Sequence, residues 1–445
     1  MVIRGIRIID PWSNLDETGD IYIEGNRIES IGTACSYKDI VNNGRKPGIE
    51  TDSIDGTGLV CAPGLVDVHV HFRDPGFTHK EDIETGAASA AACGFTSVVM
   101  MANTKPAIDN EETLKYVLDK ADEQSIHVYT CADITEGLKG QKLTDMAHLA
   151  AMGAVGFTDD GIPLRDPGIV KEAMIEAGKL GLPLSFHEED PSYITNNGIN
   201  HGKASEHYGI EGSPREAEIS MIDRDIRLME ELFGAGVTPD IVIQHISTKE
   251  GVELVRKARL NNPHVHAEAT PHHFSLTEDA VIKHGTLAKM NPPLRTEEDR
   301  QAIIEGLCDG TIEIISTDHA PHSSEEKSRP ITEAPSGIIG LETSLALGIT
   351  CLVKGNSTGV AGDMSLMELL SKMTINPAKL YGLDAGRIYE GGPADLVIFD
   401  PDEEWVVPDR FASKSVNTPF IGMKLKGRVH MTICGGKIIY KTDDH

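Results

Sequence analysis

Hydrophobic positions in the middle of the chain fall into short β-branched runs. Between the runs lie stretches whose apolar residues recur three or four positions apart. The runs are LVDVHVH (65–71), TSVVMMAN, IHVYTCAD, AVGFTDDG, LPLSFHEE, DIVIQHIS, VHAEATPHH and TIEIISTDHAPH. The intervening segments include DIETGAASAAACG, 111–121, 146–152, IVKEAMIEAGKLG, EAEISMIDRDIRLMEELFG and KEGVELVRKARL, all with a helical period. Parallel strands need such crossovers, and eight of them predict a closed (β/α)8 barrel over 61–385. An open doubly wound sheet is the alternative, but no GxGxxG follows the first strand.

The two ends of the chain read differently. MVIRGIRIID, DIYIEGNRIESIG and IDGTGLVCAPG alternate apolar and polar residues around Gly, Asn and Asp, and so do ADLVIFDPDEEWVV and MKLKGRVHMTICGGKIIYK. Either end alone has too few strands to bury a face. Residues 1–60 and 386–445 are therefore expected to combine into one small β-sandwich domain. The polar, Gly-rich stretch 191–215 reads as a long loop over one face of the barrel.

Composition narrows the class. Of 445 residues, 40% are hydrophobic and 25% charged, as in an ordinary globular protein. Asp and Glu number 69 against 41 Lys and Arg, a net charge of -28. Nucleic acid and anionic membrane are disfavoured as partners, since both call for a basic face. An anionic substrate would need a cationic site built locally. No run of 18 apolar residues and no secretory h-region are present, so a transmembrane span is excluded and a cytoplasmic location expected. The seven cysteines, Cys35, Cys61, Cys93, Cys131, Cys308, Cys351 and Cys434, form no CxxC and read as reduced, buried thiols.

The first barrel run ends in His69-Val70-His71, which alternation turns to one face of a strand, within reach of one cation. Alone the pair is weak, because 18 histidines yield about 0.7 such spacings by chance. His264 and His266 have the same spacing but begin a strand, and read as structural. What lifts His69 and His71 is recurrence: Asp159-Asp160, His187, His245 and Asp318 each follow another strand. A barrel active site is assembled at that face from several strands. Each residue alone could be a hydrogen-bonded core His or a capping Asp, but five coincidences at one face argue for a site. His and carboxylate without Cys suit Zn²⁺ or a similar divalent ion. Arg73, two residues past His71, can point into the site and grip a carboxylate bidentately; its bland reading is an ion pair with Asp74 or Glu81.

DVHVHFRDPG, MANT, GFTDDG, SFHEED, IVIQHISTKE, EATPHH, KMNPPLR, TDHAPH and SKSVNTPFIGMKLKGRV together resemble the dihydroorotases of the amidohydrolase superfamily, in their longer barrel-plus-sandwich class. The resemblance runs over roughly residues 1–440. One departure is MANT, where relatives usually carry Pro at the position of Ala102. The resemblance implies a zinc centre of one or two ions held by His69, His71, His187 and His245, with Asp160 an additional, bridging carboxylate. It makes Asp318 the metal-adjacent general acid/base. Arg73, Asn103 and His322 would hold the substrate's free carboxylate, and Asn291 with Pro335, Ser336 and Gly337 would contact its ring. Asp159 is expected to be structural. The implied reaction is the reversible cyclisation of N-carbamoyl-L-aspartate to L-dihydroorotate plus water, in pyrimidine biosynthesis. The oligomeric state is left open, a homo-oligomer included.

Two other readings stand beside this one. Hydantoinases, dihydropyrimidinases and allantoinases resemble the chain in fold but bridge their metals with a carboxylated Lys at the end of the fourth strand; here that strand reads AVGFTDDG, without Lys. A non-catalytic homologue serving as a partner subunit would be expected to lose ligands, and none of those expected is missing.

Overall fold

The computed structural model describes residues 1–32, 53–355 and 363–442; Cys35 lies outside them. The chain opens with β1 (Val2–Asp10), β2 (Leu15–Glu24), β3 (Arg27–Gly32), β4 (Ser53–Asp55) and β5 (Val60–Pro63). Barrel strands follow: β6 (Leu65–Val70), β7 (Phe95–Met100), β8 (His127–Thr130), β9 (Leu184–Phe186), β10 (Ile241–Ile243), β11 (Val265–Ala269) and β12 (Ile314–Ile315). The chain returns in β13 (Leu396–Val406), β14 (Lys424–Cys434) and β15 (Lys437–Lys441).

β6, β7 and β8 pair in parallel, as do β9, β10, β11 and β12. The fourth run, AVGFTDDG, is not the continuous strand its sequence suggests. Phe157 alone bridges Ala132 and Leu184, both in parallel. The reason is local: the Asp159 carboxylate takes the Ile134 and Thr135 N–H groups, donors a longer ladder would use. Val70 bridges His319 in parallel and closes the barrel. Asp67 reinforces that seam by accepting from the Thr317 hydroxyl at 2.6 Å.

The crossover helices begin where the sequence supplies caps. Asp82 accepts from Thr85 N ahead of Ile83–Ala92, Asn110 from Thr113 N ahead of Glu111–Ala121, and Thr248 from Gly251 N ahead of Lys249–Arg259. Pro167 occupies the first turn of Pro167–Leu180, and Gly181 ends that helix in the left-handed region at φ 67°. The stretch 191–215 is not all loop: Lys203–Tyr208 forms a short helix, closed by Gly209.

Both ends of the chain build one eight-stranded mixed sheet, in the order β15-β14-β13-β5-β1-β2-β3 with β4 beside β1. Its centre, β5 and the first four residues of β13, is buried on both faces, and alternation sorts the side chains. Leu396 and Ile398 enter a cluster with Ile3, Ile8, Cys61 and Ile433, inside the terminal sheet. Val397, Phe399, Ile9 and Val60 enter the main barrel core instead. The sheet is thereby fastened to the barrel without a linker surface, and truncating Phe399 to Ala would cost about 3–5 kcal/mol. Cys61, Cys93, Cys131 and Cys434 are buried and unpaired, as expected; Cys351 is only half-buried and Cys308 is exposed. Among the described residues no helix is long and apolar enough to cross a membrane.

Candidate metal centre and active site

Strand ends deliver the expected side chains to one point. His69 is next to last in β6 and His71 follows the strand, Asp160 follows the Phe157 bridge, His187 follows β9, His245 follows β10, and Asp318 follows β12. His245 and Asp318 lie in the left-handed region, at φ 31° and 47°, as does Arg73 at 61°. Only five non-glycine residues among those described do so, and three of them are here. Such backbone costs about 1–3 kcal/mol each and persists where function fixes it. Arg73 therefore reaches the site by a left-handed turn beyond the end of β6, not by strand alternation. It pairs with neither Asp74 nor Glu81: its Nε faces the Pro321 carbonyl at 3.4 Å, while Asp74 binds Tyr116 and Lys120.

The ligand atoms ring a common space. His71 Nε2 lies 3.0 Å from Asp318 Oδ1 and 3.4 Å from Asp160 Oδ2. His69 Nε2 lies 3.6 Å from both Asp160 Oδ1 and Asp318 Oδ1. On the other side, Asp160 Oδ1 lies 3.7 Å from His187 Nδ1 and 3.9 Å from His245 Nε2. Four ligands at 2.0–2.1 Å from a tetrahedral ion stand about 3.4 Å apart, so these spacings suit a divalent cation. His69 Nε2 is buried with no hydrogen-bond partner, aimed into that space. Asp160 Oδ2 faces His71 and Oδ1 faces His69, His187 and His245, so the one carboxylate meets all four histidines.

The electrostatics agree. Burial opposes charge on His69, but Glu268, Asp160 and Asp318 outweigh it and push its pKa up to about 10. A cation held beside Nε2 would take the place of that proton. Burial likewise opposes the Asp160 carboxylate, yet the surrounding His187, His69 and His71 hold its pKa well below the usual range. Burial, with His187 and His69 nearby, keeps His245 neutral and able to ligate.

The far nitrogens of three of the rings are also held. Glu268 on β11 contacts His69 Nδ1 at 2.5 Å, and Glu189 contacts His187 Nε2 at 3.2 Å. Asn103 Oδ1 lies 3.0 Å from His71 Nδ1, and its Nδ2 donates to Asp160 Oδ2 at 3.0 Å. Asn103, expected to hold a substrate carboxylate, thus also braces two of the ligands. Glu268 and Glu189 went unremarked in the sequence. The legible signal was a carboxylate in a strand buried on both sides (VHAEA) and another in SFHEED. Asp159 is structural, as expected, accepting from Ile134, Thr135 N–H and the Thr135 hydroxyl.

His322 lies beside Arg73; burial first, then Arg73, Lys327 and Lys80, keep it neutral. Its Nε2 donates to the Ser336 carbonyl at 2.8 Å, so it contacts the 335–337 segment directly. Asn291 Nδ2 is 3.2 Å from His187 Nε2, and its buried Oδ1 has no partner. His264 and His266 lie at the start of β11, bound to Asp240 and Glu313, away from the site as expected. His319 accepts from Gly340 N and faces Glu81, fixing the turn that carries Asp318. A separate cluster, His127, Asp395 and Cys434, sits at the start of β8, at the opposite end of the barrel. Its His and Asp are satisfied by each other and by Gly435 N.

The pattern of the amidohydrolase family matches residues 60–439, which includes every ligand above. The chain belongs to the amidohydrolase family. Within it, the chain is 53% identical over 443 residues to the dihydroorotase of Clostridioides difficile (strain 630), covering 99% of each. It is 50% identical over 442 residues to the dihydroorotase of Streptococcus pneumoniae, covering 99% of this chain and 100% of that one. Among solved structures it is similar to L-hydantoinase (dihydropyrimidinase) from Arthrobacter aurescens, with TM-score 0.82, 24% identity and coverage of 99% and 96%. It is also similar to D-hydantoinase (dihydropyrimidinase) from Thermus sp., with TM-score 0.80, 23% identity and coverage of 99% and 95%. Likeness at that identity is a likeness of fold: barrel plus terminal sheet.

Proposed function

We propose that the chain is a zinc-dependent dihydroorotase, converting N-carbamoyl-L-aspartate and L-dihydroorotate into one another in pyrimidine biosynthesis. Near-full-length identity of about half to dihydroorotases supports the activity. The observation that carries the chemistry is the ring of His69, His71, His187, His245, Asp160 and Asp318 around one space. In this reading His69, His71, His187 and His245 would hold one or two zinc ions, with Asp160 as the additional carboxylate. A divalent ion there supplies Lewis acidity, polarising a carbonyl and acidifying water to a pKa of about 7.

The side chains do the rest. In hydrolysis water adds to the ring amide carbon and the C–N bond breaks. Asp318 accepts the water proton on its carboxylate and delivers it to the departing ring nitrogen. In cyclisation the ureido nitrogen attacks the side-chain carboxyl, and Asp318 takes the nitrogen's proton and returns it to the oxygen that leaves as water. Arg73 grips the remaining carboxylate with charge-assisted hydrogen bonds, aided by Asn103 and His322. That local cation offsets the acidic balance of the chain. Asn291 and the 335–337 segment face the ring.

We further propose that the chain divides into a composite domain of residues 1–60 with 386–445 and a barrel of residues 61–385, and that it works in the cytoplasm. The test of the activity is to follow both directions by proton NMR with the zinc-loaded protein. Interconversion that reaches the same ratio from either side, and stops on strong chelation, is the expected result. Failure to convert either compound in a fully metal-loaded sample would overturn it.

A further inference from the structure

Two lysines near the site are nearly as buried as any core residue, each 4% exposed, and neither is a ligand. Lys289 opens KMNPPLR, two residues before Asn291. Lys327 ends the short helix Ser324–Lys327, five residues past His322. Neither makes an ion pair with a described residue. Lys289 Nζ donates to the Ile331 and Ala334 carbonyls at 2.8 and 2.7 Å. Lys327 Nζ donates to the Pro335 and Gly337 carbonyls, both at 2.9 Å. His322 Nε2 holds the carbonyl between them, at Ser336. Gly337 N donates in turn to the Lys289 carbonyl. Four successive carbonyls, 334 to 337, are thus drawn toward the scaffold. The Asn417 side chain, from the segment leading into β14, adds a second bond to the Gly337 carbonyl at 3.1 Å.

We propose that Lys289 and Lys327 are positioning residues that fix residues 331–337 in the conformation that meets the substrate's ring. The proposal deepens the dihydroorotase reading and rests on its assignment of 335–337 to the ring. A trans peptide points its N–H opposite its C=O, so pinning the Pro335 carbonyl turns the Ser336 N–H away from Lys327. That N–H makes no hydrogen bond to another described residue, and it is a donor suited to a ring carbonyl of a cyclic ureide. A buried ammonium without a counter-ion costs desolvation energy, which its bonds to the carbonyls of this segment must offset. Gly337 shows how closely the segment is fitted: at φ 111°, a Cβ there would stand 2.6 Å from Ala320 Cβ.

The test uses the metal-loaded full chain with Lys327→Met and Lys289→Met, and Lys327→Gln as a variant that keeps one donor. Hydrogen exchange of residues 331–338 is measured without substrate, beside KM and kcat for L-dihydroorotate, metal content and Tm. The expected result for the Met variants is faster exchange confined to 331–338 and a KM raised at least about tenfold. kcat falls much less, metal content is full, and Lys327→Gln is intermediate. Unchanged exchange in 331–338 would overturn the tether. Faster exchange with unchanged KM would reduce the lysines to a structural role and overturn the positioning. A parent protein inactive on dihydroorotate would instead defeat the dihydroorotase reading, with the exchange result still deciding the tether.

Discussion

Glu268 Oε1 lies 2.5 Å from His69 Nδ1, with both side chains fully buried. The carboxylate fixes which ring nitrogen carries hydrogen and so leaves Nε2 bare toward the centre. It also accepts from His245 N at 3.3 Å, tying two ligand-bearing strand ends to a third strand. Such partners of metal ligands are worth about 10–100-fold in metal affinity. Glu268→Ala is expected to weaken zinc binding by that factor, and Glu268→Gln, which keeps an acceptor, by less. Chelator competition at fixed pH measures it, and equal affinity in all three proteins would contradict the assignment.

Asp318 sits at φ 47° with Oδ1 turned to His71. Asp318→Asn is expected to bind metal and fold, but to lose about 10²–10⁴ in kcat, the worth of a positioned acid/base. Steady-state kinetics with metal analysis on the same sample checks this. Near-normal turnover would remove Asp318 from proton transfer.

Asp159 and Asp160 are neighbours with opposite tasks. Asp160 faces the four histidines, and Asp159 holds Ile134 and Thr135. Asp160→Ala is expected to lose metal and most activity, and no added bicarbonate should be needed to assemble the parent centre. Asp159→Ala should lower Tm while leaving the metal content of the folded fraction intact. Metal titration and thermal unfolding of the two variants separate these outcomes.

Lys327 gives stability a pH dependence of known sign. Burial first, and then Lys289, lower its pKa to about 7 in the folded protein, with Glu326 opposing. His322, also facing it, is already neutral. A depressed folded pKa means a contribution fully present above the unfolded value of about 10.4 and lost as pH falls through about 7. Between those limits the unfolded chain binds the extra proton, so stability rises with pH. Denaturant midpoints of the parent and Lys327→Met should therefore diverge in the parent's favour as pH rises from 7 to 9.5. Parallel curves would contradict the shift.

Much of the barrel was legible because its strands and helices differ in period, and the helix caps Asp82, Asn110 and Thr248 are local signals. AVGFTDDG misled because the Asp159 side chain competes for backbone donors, which an apolar run does not reveal. The ligand set was legible because strand ends converge at one face of any such barrel. Arg73 arrived there by a route alternation does not describe, a left-handed turn. Glu268, Glu189 and the two tethering lysines were not singled out, because each acts through contacts distant in sequence: 199 residues separate His69 from Glu268. The same long-range packing decides that Leu396 faces one core and Val397 the other.

The central claim is a centre of zinc-ligating His and Asp beside an arginine that selects a ring bearing a carboxylate. The most direct measurement is kcat/KM of the zinc-loaded parent and of Arg73→Ala for L-dihydroorotate, dihydrouracil, hydantoin and allantoin. The parent should prefer dihydroorotate over all three. Arg73→Ala should lose about tenfold to a hundredfold of that preference over dihydrouracil, which lacks the carboxylate. A parent that turned over hydantoin or dihydrouracil better than dihydroorotate, or an Arg73→Ala variant that discriminated as well as the parent, would contradict it.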